Sequence, residues 1–224
     1  MAPDAEPGPA PGGQNAADAD YAYRDATDDG STWHHGFLLR PVQRRLRAAG
    51  ARVVLDLGCG HGAFSRVLGA SGFDVYGCDT SESGIAVAQK HAPGRFRKAS
   101  AYDDLTALFP DRPRFDAIVA IEVIEHLYAP RDFLGRVREA LAPGGSVILT
   151  TPYHGYLKNV AVAIAGKFDT HFSPLWDGGH IKFWSRRTLS ELLTEQGFKN
   201  IGFEGAGRLP LLWRAMVMSG QVQA

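Results

Sequence analysis

Residues 52–68 read Arg-Val-Val-Leu-Asp-Leu, then Gly-Cys-Gly-His-Gly, then an apolar face at Phe64, Val67 and Leu68. An apolar, β-branched run of that length is a strand buried on both faces. The i, i+3, i+4 spacing after it is one side of a helix. A strand covered on both faces needs helices above and below its sheet, which restricts the chain to an α/β architecture. Glycines at the junction allow a tight turn and let backbone approach a ligand with no Cβ in the way.

The same alternation continues along the chain. Helical spacing covers Phe37 to Ala49, Ser81 to His91 with Ser81 as N-cap, and Asp132 to Leu141, closed by Pro143-Gly144-Gly145. A further helix carries Leu189, Leu192 and Leu193 between an N-cap at Ser185 and Gly197. Strands are predicted at 73–78, 95–98, 115–121, 146–151, 200–204 and 212–218. With the first strand these make a doubly wound, mainly parallel sheet of seven, with right-handed crossovers placing helices on both faces.

Residues 1–22 differ in composition, being mostly Ala, Pro, Gly, Asp, Glu, Asn and Gln, and are expected to form a disordered acidic tail. They have neither the basic start and apolar centre of a signal peptide nor the arginines of a mitochondrial leader. The remainder, 23–224, is read as one domain. Lys and Arg together number 24, as do Asp and Glu, so no strong overall charge draws the chain to nucleic acid, and none is expected as a partner. No apolar run is long enough to cross a bilayer. Two cysteines, Cys59 and Cys78, fit a reducing compartment, and a cytoplasmic location is expected.

The loop Asp56-Leu57-Gly58-Cys59-Gly60-His61-Gly62 has the spacing G-x-G-x-G, not the G-x-G-x-x-G of dinucleotide enzymes. Asp79 closes the second strand about 20 residues further on, where a carboxylate can accept from both hydroxyls of a ribose. Loop, context and distal acid together point to a nucleoside-containing ligand. At these residues the chain resembles class I S-adenosylmethionine-dependent methyltransferases, and the resemblance extends over most of residues 33–218. It implies a Rossmann-like fold and S-adenosylmethionine as cofactor. It implies that Gly58, Cys59, Gly60 and Gly62 pass under the methionine part, that Asp79 and its neighbour Thr80 lie at the ribose, and that Asp56 lies near the amino group. Ser100-Ala101-Tyr102 matches the segment that reads the adenine edge, and Ile121 a residue packing near the cofactor. Within the family the chain is most similar to the ubiquinone-biosynthesis O-methyltransferase type, in which Arg40 aligns with a cofactor-contacting arginine. Arg40 read by itself is a solvated helix residue.

Glu122-Val123-Ile124-Glu125-His126 follows the fourth strand. If that turn is helical, Glu122, Glu125 and His126 share a face, and His180 from a later loop can complete the set. Two carboxylates and imidazoles can hold Mg²⁺, Mn²⁺ or Zn²⁺. The pattern resembles that of small-RNA 2′-O-methyltransferases, where it binds Mg²⁺. A cation addresses a definite difficulty: a phenol of pKa ~10 costs roughly 4 kcal/mol to ionise at pH 7. A metal-free reading makes His126 or His180 the general base, and a structural one makes the acids surface charges and His126 a cap.

Residues 152–184 form a long insert, with Tyr156 to Ala165 apolar almost throughout and Phe168, His171, Phe172, Leu175 and Trp176 following. This reads as a lid over a hydrophobic acceptor, with weak contact to the inner face of a membrane, or as a helix buried against the domain. His34 and His35 are read as caps or surface residues that could also lie over the mouth. The expected activity is methyl transfer to a small-molecule acceptor, an aromatic or quinol hydroxyl. N- or C-methylation and a non-catalytic cofactor-binding regulator are the alternatives.

Overall fold

In a computed structural model, residues 36–223 are described apart from Pro113 and Ser173. The tail at 1–22 and the pair His34 and His35 lie outside the described residues. Seven strands form one sheet: β1 (Val53–Leu57), β2 (Asp74–Asp79), β3 (Phe96–Lys98), β4 (Phe115–Ile121), β5 (Leu141–Pro152), β6 (Lys199–Ala206) and β7 (Ala215–Gln221). Their spatial order is β3-β2-β1-β4-β5-β7-β6. Pairings from β3 across to β5 are parallel, while β7 runs antiparallel to both of its neighbours. The sequence predicts this mainly parallel sheet, although β7 begins three residues later than expected. The intervening loop turns at Arg208 and Leu211, both with positive φ.

Side-chain alternation assigns each strand residue to a layer. Leu55, Ile118, Val147, Leu149, Met216 and Met218 face one core. That core is closed by α4 (Pro130–Ala140) through Phe133, Leu134 and Val137, and by α7 (Arg186–Glu195) through Leu189, Leu192 and Leu193. Val54, Ala117, Val119, Ile148 and Val217 face the other. There α1 (Gly36–Ala48) contributes Leu38, Val42 and Leu46, and α2 (Ala63–Ala70) contributes Phe64 and Leu68. α3 (Glu82–His91) packs Ile85 and Ala88 against Phe96 of β3.

The connection after β1 leads to β2 on one side, and that after β4 leads to β5 on the other. The carboxyl ends of β1 and β4 therefore flank the topological switch point, where open α/β sheets form their binding crevice. The glycine loop leaves β1 there, and Glu122 leaves β4 there. The insert between β5 and α7 holds two short helices, α5 (Tyr156–Ile164) and α6 (Phe168–Phe172), rising from the same edge.

Candidate active site

The glycine loop is built by its backbone. Gly58 has φ +80°, and a Cβ added to it would meet Val123 Cγ2 at 2.5 Å. Glycine is therefore required both by conformation and by the approach of the segment after β4. Gly62 (φ +78°) lies where an added Cβ would come within 3.0 Å of the Ala88 Cβ, so it lets α2 start close against α3.

Asp79 is joined to this loop. Its Oδ2 accepts from the Gly60 N–H at 2.8 Å, and its Oδ1 accepts from the Ser81 N–H at 2.8 Å. These two bonds hold the carboxylate at the open end of β2, beside the exposed Thr80. Ser100 and Ala101 follow β3 on that side, and a bond from the Ser100 N–H to Asp103 Oδ2 at 2.8 Å shapes their turn. Ile121 is half-buried at the end of β4. Arg40 is exposed, one turn into α1, as its solvated reading has it.

Asp56 is drawn inward. Its side chain is 1% exposed and accepts from Ser65 Oγ at 2.6 Å, so it braces β1 against α2 from beneath the loop. Strand parity explains this: Asp56 lies between Leu55 and Leu57, which face the opposite core. Burial pushes its carboxyl up to about 7, with Asp79 adding to the rise and the Ser65 bond opposing it.

The acidic group after β4 is likewise rearranged. The chain turns through a single 3₁₀ turn, Ile124–His126, with Glu122 before it at φ +54°. A shared helical face for Glu122, Glu125 and His126 does not form. Glu122 instead accepts from Thr150 Oγ1 at 2.8 Å and donates its N–H to the same oxygen at 2.9 Å. Left-handed backbone in a residue other than glycine stores strain, here held by Thr150. Burial moves the Glu122 carboxyl up to about 7, while Thr150, Arg214 and Lys158 act the other way.

Glu125, His126 and His180 do converge, with one donor atom from each lying within 4.8 Å of the others. Glu122 is outside that group, which corrects the four-residue set. The strap preceding α7 places His180. Ile181 and Lys182 donate their N–H groups to the Glu125 carbonyl at 2.9 and 3.0 Å, and Trp184 Nε1 donates to the Ile124 carbonyl at 3.4 Å. The Gly178 carbonyl lies 2.8 Å from His126 Nδ1, which therefore carries the proton and leaves Nε2 as the lone-pair nitrogen. The two imidazoles meet edge to face at 4.7 Å, and His180 Nε2 is 3.9 Å from Glu125 Oε1. Glu125 is 0% exposed, and its carboxylate has no close hydrogen-bond partner beyond the neighbouring Thr151 side chain. Its carboxyl is raised by burial first and by Glu122 second. Burial depresses both imidazoles, His180 to about 4, and so favours their neutral forms.

Sequence reasoning missed Lys158. Within a helix read as apolar it is 5% exposed, while Tyr156 and Ile164 are 81% and 83% exposed. The available signal was a lone cation inside an otherwise apolar stretch. Burial and Arg208 lower its ammonium to about 8, with Glu122 opposing. Next to it, His154 packs among His171, Phe172 and Phe183.

A glycine-loop crevice at the switch point of a seven-stranded doubly wound sheet defines a Rossmann-like class of protein. The methyltransferase domain family matches residues 32–202, and the chain belongs to that family. Curated relatives narrow the likeness to one type. An ubiquinone biosynthesis O-methyltransferase from Cereibacter sphaeroides is 31% identical over 166 residues, covering 71% of this chain and 65% of the relative. One of the same name from Roseobacter denitrificans is 29% identical over 165 residues, with the same coverage. The chain thus spans about 65% of the length of these relatives. Among solved structures, magnesium protoporphyrin IX methyltransferase from Synechocystis, with bound SAH, superimposes with a TM-score of 0.59 at 18% identity, covering 83% of this chain and 82% of that one. A SAM-dependent methyltransferase from Archaeoglobus fulgidus does so with a TM-score of 0.57 at 17% identity, covering 84% and 97%. Both show the shared fold.

Proposed function

We propose that this chain transfers a methyl group from S-adenosylmethionine to a hydroxyl oxygen of a small aromatic or quinol acceptor. One observation carries the reading: the glycine loop with Asp79, after β1 and β2, and the Glu125–His126–His180 group, just after β4, lie at the same carboxyl-end edge of the sheet. The first suits a nucleoside and the second suits a hydroxyl to be activated. The names of the relatives support an oxygen acceptor of the quinol type.

The sulfonium is already an activated donor, so the protein's part is position and field. Asp79 is set to accept from the ribose hydroxyls, and the glycines of the loop leave room for the methionine end to approach the backbone. Holding nucleophile and methyl in line can contribute ~7–11 kcal/mol. The Glu125 group deals with the acceptor proton. A buried carboxylate whose donor oxygen lies within 4.8 Å of a nitrogen from each of two imidazoles fits a divalent cation, which we read as resident there. With Glu122 excluded, two nitrogens and one oxygen favour Zn²⁺ or Mn²⁺ over Mg²⁺. Held by Glu125, His126 and His180, such an ion would supply several kcal/mol of stabilisation to a developing oxyanion. Exposed Tyr156, Ile164 and Leu209, with Leu175 at 92% exposure, support a hydrophobic acceptor and a peripheral contact with a membrane. Both cysteines are buried and free, in keeping with a cytoplasmic, reducing setting.

Turnover on a catechol and quinol panel, followed by mass spectrometry, tests this reading. Activity is expected to fall at least tenfold after chelation and to return with Zn²⁺ or Mn²⁺. Full turnover in chelator removes the metal, and no methylated oxygen product removes the acceptor assignment.

A further inference from the structure

A cavity of about 540 Å³ opens between α5 and the loop joining β6 to β7. Its apolar wall includes Val162, Leu209 and Leu212, and Lys158, Lys167 and Arg208 supply its charge. No acid is among the residues that line it. Lys158 is the unusual member, since a lysine side chain is seldom this buried without a counter-ion. Among the described residues it forms no hydrogen bond or ion pair. The acid acting on it from behind is Glu122, whose carboxylate already accepts from Thr150. Lys158 stands on α5, which leaves β5 beside the end of β4, and the His154 N–H just before α5 bonds the Trp184 carbonyl of the strap that carries His180, so the cavity lies on the same edge of the sheet as the Glu125 group.

We propose that this cavity seats the acceptor, and that Lys158 and Arg208 select one carrying a carboxylate on an apolar body. The inference rests on the methyl-transfer reading and adds a substrate class to it. An apolar wall takes the ring or chain, while a carboxylate gives the buried ammonium the partner it lacks within the protein. Arg208, exposed at the rim, supplies the second donor and the initial attraction. A neutral acceptor of the same shape leaves Lys158 buried and unpaired, which is how a polar site rejects an analogue.

Dihydrocaffeate and its methyl ester differ in that charge and in one small methyl group, and serve as probes on the full chain. The measured quantity is the ratio of kcat/KM for acid over ester, together with the ratio of their affinities by calorimetry with S-adenosylhomocysteine present. The native chain is expected to favour the acid by about ten- to a hundredfold, the size of one charge-assisted hydrogen bond. Lys158→Met should reduce that ratio at least tenfold, and Lys158→Arg should restore most of it. Arg208→Gln, on an exposed loop, gives a smaller loss that does not depend on refolding a buried site. Equal preference for acid and ester in the native chain, or a ratio unmoved in both Lys158→Met and Arg208→Gln, overturns the proposal. Failure of the methyl-transfer reading looks different: no heat from S-adenosylhomocysteine itself, whatever the acid-to-ester ratio.

Discussion

Asp56 and Asp79 stand at the ends of adjacent strands, yet their surroundings give them different work. Asp79 is held by two backbone N–H groups at a half-buried position, a setting that leaves a carboxylate ready for hydroxyl donors. Asp56 is sealed in with one serine hydroxyl, and its carboxyl rises to about 7. Because the folded pKa exceeds the unfolded one, the native state holds the extra proton between about pH 4 and 7. Stability from this group is complete below that window and is lost as pH rises through it. Asp56→Asn keeps an acceptor for Ser65 without the charge. It is expected to raise the melting free energy at pH 8 by roughly 2–4 kcal/mol and to remove this component of the pH dependence. Denaturant titrations at pH 4.5 and pH 8 check this, and an equal effect at both contradicts it. The sequence located both acids, but which one is sealed beneath the loop depended on strand parity and on Ser65, nine residues away. Glu122 misled for a related reason. Helical spacing put it with Glu125, whereas the chain takes a left-handed residue followed by a 3₁₀ turn.

At the scale of elements, local chemistry was written plainly in the chain. Ser81 caps α3 by accepting from the Gly84 N–H at 3.1 Å. Ser185 caps α7 in a reciprocal box with Thr188. α7 closes one core through three buried leucines and carries the strap bearing His180 at its start. Ser185→Ala should therefore lower stability by ~1 kcal/mol, and its larger effect should fall on the Glu125 group. Hydrogen exchange at Ile181 and Lys182 reports this, since their amides bond the Glu125 carbonyl. Unchanged protection there contradicts the coupling. The insert was less legible. Its apolar pattern fits either a lid or a core helix, and α5 turns out to expose much of its apolar surface while burying its lysine. That inversion depends on Arg208, Leu209 and Leu212, some fifty residues away in sequence, which no local period encodes.

For the whole molecule, a mainly parallel order was readable because strands buried on both faces leave no polar alternation and demand helical crossovers. The switch point follows from β1 lying between β2 and β4. It brings together two motifs more than 60 residues apart, Gly58 and Val123 meeting at its centre. The sequence signalled each motif separately, and the sheet order makes them one site. The account stands on that crevice accepting an adenosyl sulfonium. Titration calorimetry of the native chain and of Asp79→Ala with S-adenosylmethionine tests it most directly. Saturable binding that weakens at least tenfold in the variant is predicted. No heat from the native chain, or equal affinity in both, contradicts it.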